Sequence, residues 1–190
     1  MQKNTFCFAL CLTSLLTACG SKEPQTVKCE DKPTTKILEK KQYTIANVSF
    51  NMIPVEGGSF KMGAQSADPN AANYDANAHE GESPVHTVTL STFSLGETEV
   101  TQALWKAVLG INERWNAELG LGDDLPAYNV SYNDVQKFLT ALNDSLHNNN
   151  QLPLDKKFEL PTEAQWEYAA RGGKQSKGYY YAGSNNIDEV

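Results

Sequence analysis

The stretch that decides the fold is ELPTEAQWEYAARGG, residues 159–173. Thr162 and Gln165 have the Thr-x-x-Gln spacing of a capping box, in which each side chain bonds the other residue's free backbone N–H. Gly172 follows the apolar part of the stretch as a natural left-handed cap. The pattern therefore predicts a helix over residues 163–171 with both of its ends specified.

A helix this short is marginal in water, because nucleation is costly and few hydrogen bonds follow it. It must therefore pack against the rest of the domain, and we expect Trp166, Ala169 and Ala170 to form its buried face. Arg171 is predicted to be buried and bonded to loop carbonyls, since a guanidinium offers five donors. The helix is accordingly interpreted as a structural anchor.

The composition is that of a globular protein, with 190 residues, 40% hydrophobic and 21% charged. A formal net charge of −7 argues against a nucleic-acid partner, because phosphate binding needs a basic face. No run approaches the roughly 18 apolar residues that would suggest a membrane-spanning helix.

Residues 1–19, MQKNTFCFALCLTSLLTAC, have the pattern of a secretory signal: Lys3, an apolar stretch, then small residues. Residues 16–20, LTACG, resemble the bacterial lipoprotein lipobox. The resemblance implies cleavage before Cys19 and attachment of lipid to its thiol; the alternative is an ordinary signal in which this cysteine is incidental. We expect residues 1–19 to lie outside the fold and the lipid to hold the exported protein at a membrane of the cell envelope.

Residues 20–47 are predicted to be a flexible tether, because they are rich in Ser, Pro, Thr and charged residues without periodicity. Cys29 lies in this segment, where it is either idle or pairs with another chain. Residues 48–190 contain no cysteine. That part of the chain therefore has no internal disulfide, no cysteine-based metal site and no thiol nucleophile.

Two segments read as short strands. Residues 50–63 combine an apolar run with the turn signal Gly57-Gly58 and then alternate, which predicts a hairpin-like strand pair. Residues 84–93 alternate again and contain several β-branched residues, which favours another half-buried strand.

The polar segment 67–83 separates these strands and raises the question of a metal site. Asp75-x-Asn77-x-His79 begins like a calcium loop, but Glu80 stands where such a loop needs glycine, and no acid stands at its twelfth position. We interpret the segment as a polar surface loop.

Two longer helices are predicted between the strands and residue 153. The first begins at the N-cap Thr101 and ends at Gly110. The second begins with the capping-box-like pair Ser131 and Asp134. Its apolar positions have helical spacing: Val135, Phe138, Leu139, Leu142 and Leu146. Residues 147–153 end it, and packing accounts for its apolar residues without a cofactor.

The residues alone thus give an α+β domain without an identifiable reaction. No nucleophile–base pair with motif spacing, glycine-rich phosphate loop or metal-ligand cluster is present in the sequence. The adjacent carboxylates Asp123 and Asp124 are interpreted as part of a turn before Pro126 and not as a catalytic pair.

A family resemblance adds to this picture. The stretch at 159–173 resembles the hallmark helix of the formylglycine-generating enzyme, or sulfatase-modifying factor, family. Residues 50–63, 82–102 and 126–135 resemble three further blocks of the family in the right order. The resemblance implies a domain over residues 48–190 of the formylglycine-generating type, which is C-type-lectin-like and loop-rich, with short strands and about three helices.

The resemblance also implies that the chain stops within the domain, shortly after residues 179–183. In the family, the catalytic cysteine pair, the copper it binds and most calcium ligands come from the C-terminal half. We therefore assign no catalytic, cofactor-binding or metal-binding residue, and Cys19, as a lipidation site, is the one site residue predicted. Copper and calcium are expected only in a full-length protein.

Three functions follow for the full-length protein. The family activity is oxidation of a sulfatase cysteine to formylglycine, dependent on copper and oxygen. A non-catalytic lipoprotein that binds partners in a cell-envelope assembly, such as gliding or secretion machinery, is the second. A related non-haem iron oxidase, such as a sulfoxide synthase, is the third. The expected partners are the membrane, through the lipid, and a protein, either a sulfatase or an envelope assembly.

Overall fold

The computed structural model describes residues 9–14 and 38–190. Seven strands are present in these residues: β1 (Cys11–Ser14), β2 (Lys41–Ile45), β3 (Val48–Val55), β4 (Gly58–Met62), β5 (His86–Leu90), β6 (Phe93–Gly96) and β7 (Lys156–Glu159). The α-helices of the same residues are α1 (Gln102–Leu109), α2 (Tyr132–Asn148) and α3 (Glu163–Ala170). The structure confirms an α+β domain with short strands and three helices.

The strands form two antiparallel sheets. The larger sheet has the order β2-β3-β6-β1-β7, and the smaller one pairs β4 with β5. The four neighbour pairs of the larger sheet are all antiparallel.

The main hydrophobic core lies between the larger sheet and helices α1 and α2. Trp105 of α1 stacks on Phe138 of α2 with ring centroids 5.1 Å apart. On the sheet side, Phe158 of β7 meets Tyr43 of β2 edge-to-face at 5.1 Å. The Asn143 side chain of α2 donates to the carbonyl of Phe158 at 2.9 Å and accepts from its N–H at 2.7 Å, which fixes α2 against β7.

A second, smaller core lies beneath α3. Cys11, Phe93 and Tyr168 are buried in it. Tyr168 packs against Phe60 of β4, and its hydroxyl donates to the carbonyl of Glu56 at 3.0 Å. Helix α3 therefore joins the two sheets.

The three helices begin where the sequence predicts. The hydroxyls of Thr101, Ser131 and Thr162 each accept a bond from the N–H three residues on, and the last two belong to reciprocal capping boxes. Gly172 has the predicted left-handed conformation, with φ of 89°. The predicted helix starts are therefore confirmed. They could be predicted because each cap depends on two residues only three positions apart.

The predicted hairpin over residues 50–63 is wrong. Strands β3 and β4 belong to different sheets: β3 pairs with β2 and β6, and β4 pairs with β5. The reason is steric, because Gly57 lies against the backbone of residues 90–92, and its missing Cβ would lie 2.4 Å from the carbonyl oxygen of Leu90. The chain at Gly57 thus passes to the second sheet and does not turn back on the first.

The sheet also contains two segments that the sequence analysis places outside the domain. Residues 41–45 of the expected tether form β2, because Tyr43 and Ile45 alternate with polar residues and reach the core. Residues 11–14 of the expected signal form β1, which lies inside the larger sheet between β6 and β7. The remainder of residues 1–37 lies outside the described residues, and the assignment of a signal peptide stays a prediction.

The capping box of α2 makes a testable contribution to acid stability. The Arg114 side chain, 2.7 Å from Asp134, and hydrogen bonds from Ser131 hold the pKa of the Asp134 carboxyl well below its usual range. A depressed folded pKa gives stability that is complete above the unfolded pKa, near about 4, and is lost as the pH falls through the folded pKa.

Asp134→Asn is therefore expected to be less stable than wild type at neutral pH, with a difference that narrows below about pH 4. Urea unfolding of both proteins between about pH 7 and about pH 2 measures this difference. If the difference in unfolding free energy stayed constant over that range, the pKa of Asp134 would not be lowered in the folded protein.

Candidate functional site

An apolar groove lies where α2 and α3 both begin. It has a volume of about 760 Å³ and is lined by Ala9, Val130, Ser131, Tyr132, Val135, Leu160, Pro161, Thr162, Glu163 and Trp166. The lining therefore comes from three parts of the chain: the start of α2, the loop between β7 and α3 with the first turns of α3, and the residue at position 9.

The two capping boxes fix the shape of this groove. Ser131 and Asp134 define the first turn of α2, and Thr162 and Gln165 define the first turn of α3. The Gln165 side-chain oxygen accepts from the Thr162 N–H at 2.8 Å. Because both helix starts are held by reciprocal side-chain bonds, the groove between them is preformed.

Two large aromatic side chains of the groove are exposed to solvent. Trp166 is 58% exposed and Tyr132 is 69% exposed. Such side chains bury a large apolar area when a ligand covers them, while their polar atoms stay able to donate. The groove is suited to apolar side chains of a ligand, and it offers few charges.

The predicted burial of Trp166 is wrong, and Tyr168 takes its place. Tyr168 is only 2% exposed, whereas Ala169 and Ala170 are half-buried. Two positions along a helix are 200° apart, so an eight-residue helix cannot bury both aromatics on one side. Tyr168 faces the second core, and Trp166 faces the groove.

A polar basin of about 490 Å³ lies beyond the other end of α3. Its lining includes side chains from β4, the loop after β4, α3 and the last segment: Phe60, Asn73, Tyr74, Asp75, Glu82, Tyr168, Arg171, Tyr179 and Tyr180. The Asn73 side chain donates to the carbonyls of Lys61 and Gly63, both at 2.7 Å, and so pins the long loop to β4. Internal bonds of this kind account for much of the basin's polarity.

The role predicted for Arg171 needs correction. Its side chain is 38% exposed and pairs with Glu167 at 2.7 Å, and it reaches one loop carbonyl, that of Gly63, at 3.3 Å. Glu167 holds the loop more closely, since its carboxylate accepts from the Gly63 N–H at 3.0 Å. Exposed pairs of this kind contribute about 1 kcal/mol or less, so Arg171 is a surface ion pair and Glu167 is the link between α3 and β4.

Cys11 is the one cysteine within residues 9–14 and 38–190, and it is fully buried. Burial, with a smaller effect of Glu159, raises the pKa of its thiol to about 12. The thiol is therefore protonated at neutral pH and is neither a nucleophile nor a ready metal ligand.

The donors that copper and calcium prefer are not assembled here. Within the described part of the chain, no three His, Cys, Asp or Glu side chains come together as a possible metal site. In the loop that begins like a calcium site, the Asp75 carboxylate accepts from the backbone N–H of Asn77 at 2.8 Å, as in a turn. In the described residues, these side chains therefore do not form a three-ligand cluster for either metal.

Two further expectations concern the membrane. Cys19, the predicted lipidation site, lies outside the described residues. Over residues 9–14 and 38–190, none of the helices has the length and apolar character required to cross a membrane.

Sequence reasoning did not identify Tyr132 or the groove. Tyr132 directly follows the N-cap Ser131, but its exposure of 69% is a property of the folded chain and not of the local sequence. The partnership of residues 130–135 with residues 160–166 carries no local signal, since it depends on how α2 and α3 meet.

Comparison with known proteins places this architecture among relatives. Residues 40–190 match the family described as the sulfatase-modifying factor enzyme 1-like domain. The chain is 31% identical over 169 residues to the chaperone protein LppX of Paenibacillus barcinonensis, an alignment covering 75% of this chain and 53% of that protein. It is 29% identical over 174 residues to the formylglycine-generating enzyme of Streptomyces coelicolor, covering 67% of this chain and 49% of the enzyme.

A further enzyme and a solved structure are also similar to this chain. The formylglycine-generating enzyme of Thermomonospora curvata is 27% identical over 181 residues, covering 70% of this chain and 52% of the enzyme. Among solved structures, Treponema denticola variable protein 1 superposes with a TM-score of 0.55 at 27% identity, covering 79% of this chain and 62% of that one. The chain spans about half the length of the curated relatives it matches.

Proposed function

Because the chain belongs to the sulfatase-modifying factor enzyme 1-like domain family, we propose that it is an exported, lipid-anchored protein of the bacterial cell envelope that binds extended segments of other polypeptides. The observation that carries the proposal is the preformed apolar groove with Trp166 and Tyr132 exposed along it.

The relatives support a polypeptide as the ligand. One is named a chaperone, and two are named formylglycine-generating enzymes, which by the family activity modify a cysteine of a sulfatase chain. An unfolded chain presents apolar side chains that a folded protein hides. The groove is suited to such side chains, because its walls are mostly apolar and its aromatics bury a large area on contact.

The binding test uses a permanently unfolded polypeptide, reduced and carboxymethylated, with its native folded form as the control ligand. The full chain is expected to bind the unfolded form and not the folded one. Trp166→Ala is expected to weaken binding about tenfold, equivalent to roughly 1.4 kcal/mol. Leu154→Ala is the matched control, since Leu154 is exposed and does not line the groove. Equal affinities for the two variants would refute the groove as the binding site.

The anchor is tested separately in cells supplied with labelled palmitate. The wild-type protein is expected to incorporate the label, and Cys19→Ser is expected to abolish it. Cys29→Ser, which removes the neighbouring cysteine, should leave labelling unchanged. A Cys19→Ser protein that is still fully labelled would refute the lipobox.

Catalysis is the second candidate function, favoured by the identity of 29% and 27% to two formylglycine-generating enzymes. The described residues do not assemble donors for copper, so the oxidation would depend on residues elsewhere in the whole protein. Incubating the whole protein with a cysteine-containing sulfatase peptide and oxygen, followed by mass spectrometry, tests for the aldehyde. No mass change under conditions that convert the peptide with the Streptomyces coelicolor enzyme would exclude this activity.

A further inference from the structure

Strand β1 fills the space between two other strands of the larger sheet. It lies between β6 and β7 and is antiparallel to both, with Cys11 opposite Leu95 on one side and Glu159 on the other. The N–H of Gly96 donates to the carbonyl of Leu10 at 2.9 Å. Strands in a sheet are about 4.8 Å apart, so β6 and β7 face each other across a space about one strand wide. We call this space the strand slot.

The two faces of the strand slot require different side chains. Leu10 and Leu12 contact the main core beneath α1 and α2. Cys11 points the other way into the second core, where it lies with Phe93 and Tyr168 beneath α3. The slot therefore accepts a segment with the order apolar, small, apolar.

The predicted processing of the chain would vacate this slot. Cleavage before Cys19 separates residues 1–18, and with them all of β1, from the rest of the protein. The backbone groups of β6 and β7 would then face each other unpaired, and buried unpaired groups of this kind are strongly disfavoured. An empty slot of this kind binds another extended segment by the pairing that already holds β1.

We propose that the strand slot is a β-strand acceptor, which in the processed protein binds an extended segment of a client polypeptide. The client strand runs antiparallel to β6 and β7, with apolar residues at the positions of Leu10 and Leu12 and a small residue at that of Cys11. The inference rests on the proposed function and specifies where and how the client is bound.

The apolar groove continues the strand slot. Ala9, two residues before β1, lines the groove together with Trp166. A client strand in the slot thus leads directly into the groove, where the residues that precede it contact the exposed aromatics. Backbone pairing in the slot gives affinity for any extended chain, and the side-chain positions select among chains.

The experiment begins from the full chain with a protease site inserted between Lys22 and Glu23. After cleavage, a fluorescent peptide with the sequence of residues 9–15 is added in excess, and its exchange into the protein is followed by anisotropy. We expect saturable binding that unlabelled peptide reverses.

Two altered peptides give the matched comparison. Cys11→Ala keeps a small residue and is expected to bind within about threefold of the parent, whereas Cys11→Trp cannot fit a position that is 0% exposed and is expected to bind at least about tenfold more weakly. The protein is unchanged in both measurements, so neither result depends on the folding of a variant. Equal binding of the two peptides, or no saturable binding of the parent, would overturn the acceptor slot.

A second measurement uses the wild-type protein purified from the membrane after natural processing. It distinguishes a slot that is open to a client from a slot that is filled by another segment of the same polypeptide. Uptake of the labelled peptide supports a slot open to clients. No uptake means that another segment of the same polypeptide fills the slot, which would overturn the proposal.

Failure of this inference and failure of the proposed function give different results. Binding of unfolded polypeptide that depends on Trp166, without uptake of the residue 9–15 peptide, overturns the strand slot alone. Uptake of the peptide by a protein that binds no unfolded polypeptide overturns the proposed function and leaves the slot standing.

Discussion

Tyr168→Ala is expected to lower the free energy of unfolding by about 3–5 kcal/mol, the usual effect of truncating a large buried aromatic residue. The Tyr168 ring lies 5.2 Å from that of Phe60, and its hydroxyl bonds the Glu56 carbonyl. The change would leave a cavity beneath α3 and a carbonyl without its donor. Because α3 joins the two sheets through this core, the loss affects the whole domain.

Trp166→Ala is the matched control on the same helix. More than half of Trp166 is exposed, so its loss is expected to lower stability by about 1 kcal/mol or less. Urea unfolding of the two variants beside wild type measures both effects, and Tyr168→Phe isolates the hydroxyl, which is worth about 1 kcal/mol. A larger loss for Trp166→Ala than for Tyr168→Ala would mean that the tryptophan is the buried anchor after all.

The helix boundaries could be predicted from the sequence because their determinants are local. Each N-cap acts on an N–H three residues away, and the residues at both positions stand in the printed sequence. The buried stripe of α2 was predictable for the same reason, since Val135, Phe138, Leu139, Leu142 and Leu146 repeat at helical spacing and all are buried. In both cases, the residues that determine the feature lie within a single helix, so the sequence of that helix is enough to predict it.

The buried face of α3 could not be predicted in this way. Trp166 and Tyr168 are both large aromatic residues, and they point to opposite sides of an eight-residue helix. Only the tertiary partner decides which one is covered. That partner is Phe60 of β4, more than 100 residues earlier, and no local pattern connects the two segments.

Strand pairing was unpredictable for a related reason. The pattern at residues 50–63 favours strands correctly, but it does not say that β3 will pair with β2 and β6 while β4 pairs with β5. The apolar residues Leu10, Cys11 and Leu12 fit a secretory signal and equally fit a strand that has neighbours on both sides. The pattern is the same because both environments exclude water.

The candidate site combines predictable and unpredictable parts. The two helix starts that border the groove follow from their capping boxes, so each of these two walls can be predicted separately from the sequence. Their approach to one another depends on the packing of α2 and α3 around the larger sheet. The groove, and the exposure of Tyr132 and Trp166 within it, therefore became visible only in the folded chain.

Gln102→Leu is expected to destabilise the protein by on the order of 3 kcal/mol, although leucine fills a similar volume and leaves no large cavity. Gln102 is 2% exposed. Its amide nitrogen donates to the carbonyls of Gly120 and Pro126 at 3.3 and 3.2 Å, and its oxygen accepts from the Gly122 N–H at 3.2 Å. One side chain thus satisfies three backbone groups of the loop that leads to α2.

Each of those part-buried backbone groups loses its partner in the variant. A fully buried polar group without a partner costs about 1–3 kcal/mol, and three partly buried groups together are expected to cost a similar amount. Gln42→Leu is the matched control, because Gln42 is exposed and makes one side-chain bond, 3.3 Å long, to Asn51. Its effect is expected to stay within about 0.5 kcal/mol. Urea unfolding gives both free energies, and hydrogen exchange at the Gly122 N–H should accelerate in Gln102→Leu alone. If the two variants unfold at the same urea concentration as wild type, water replaces the glutamine at no cost, and the loop between α1 and α2 does not depend on it.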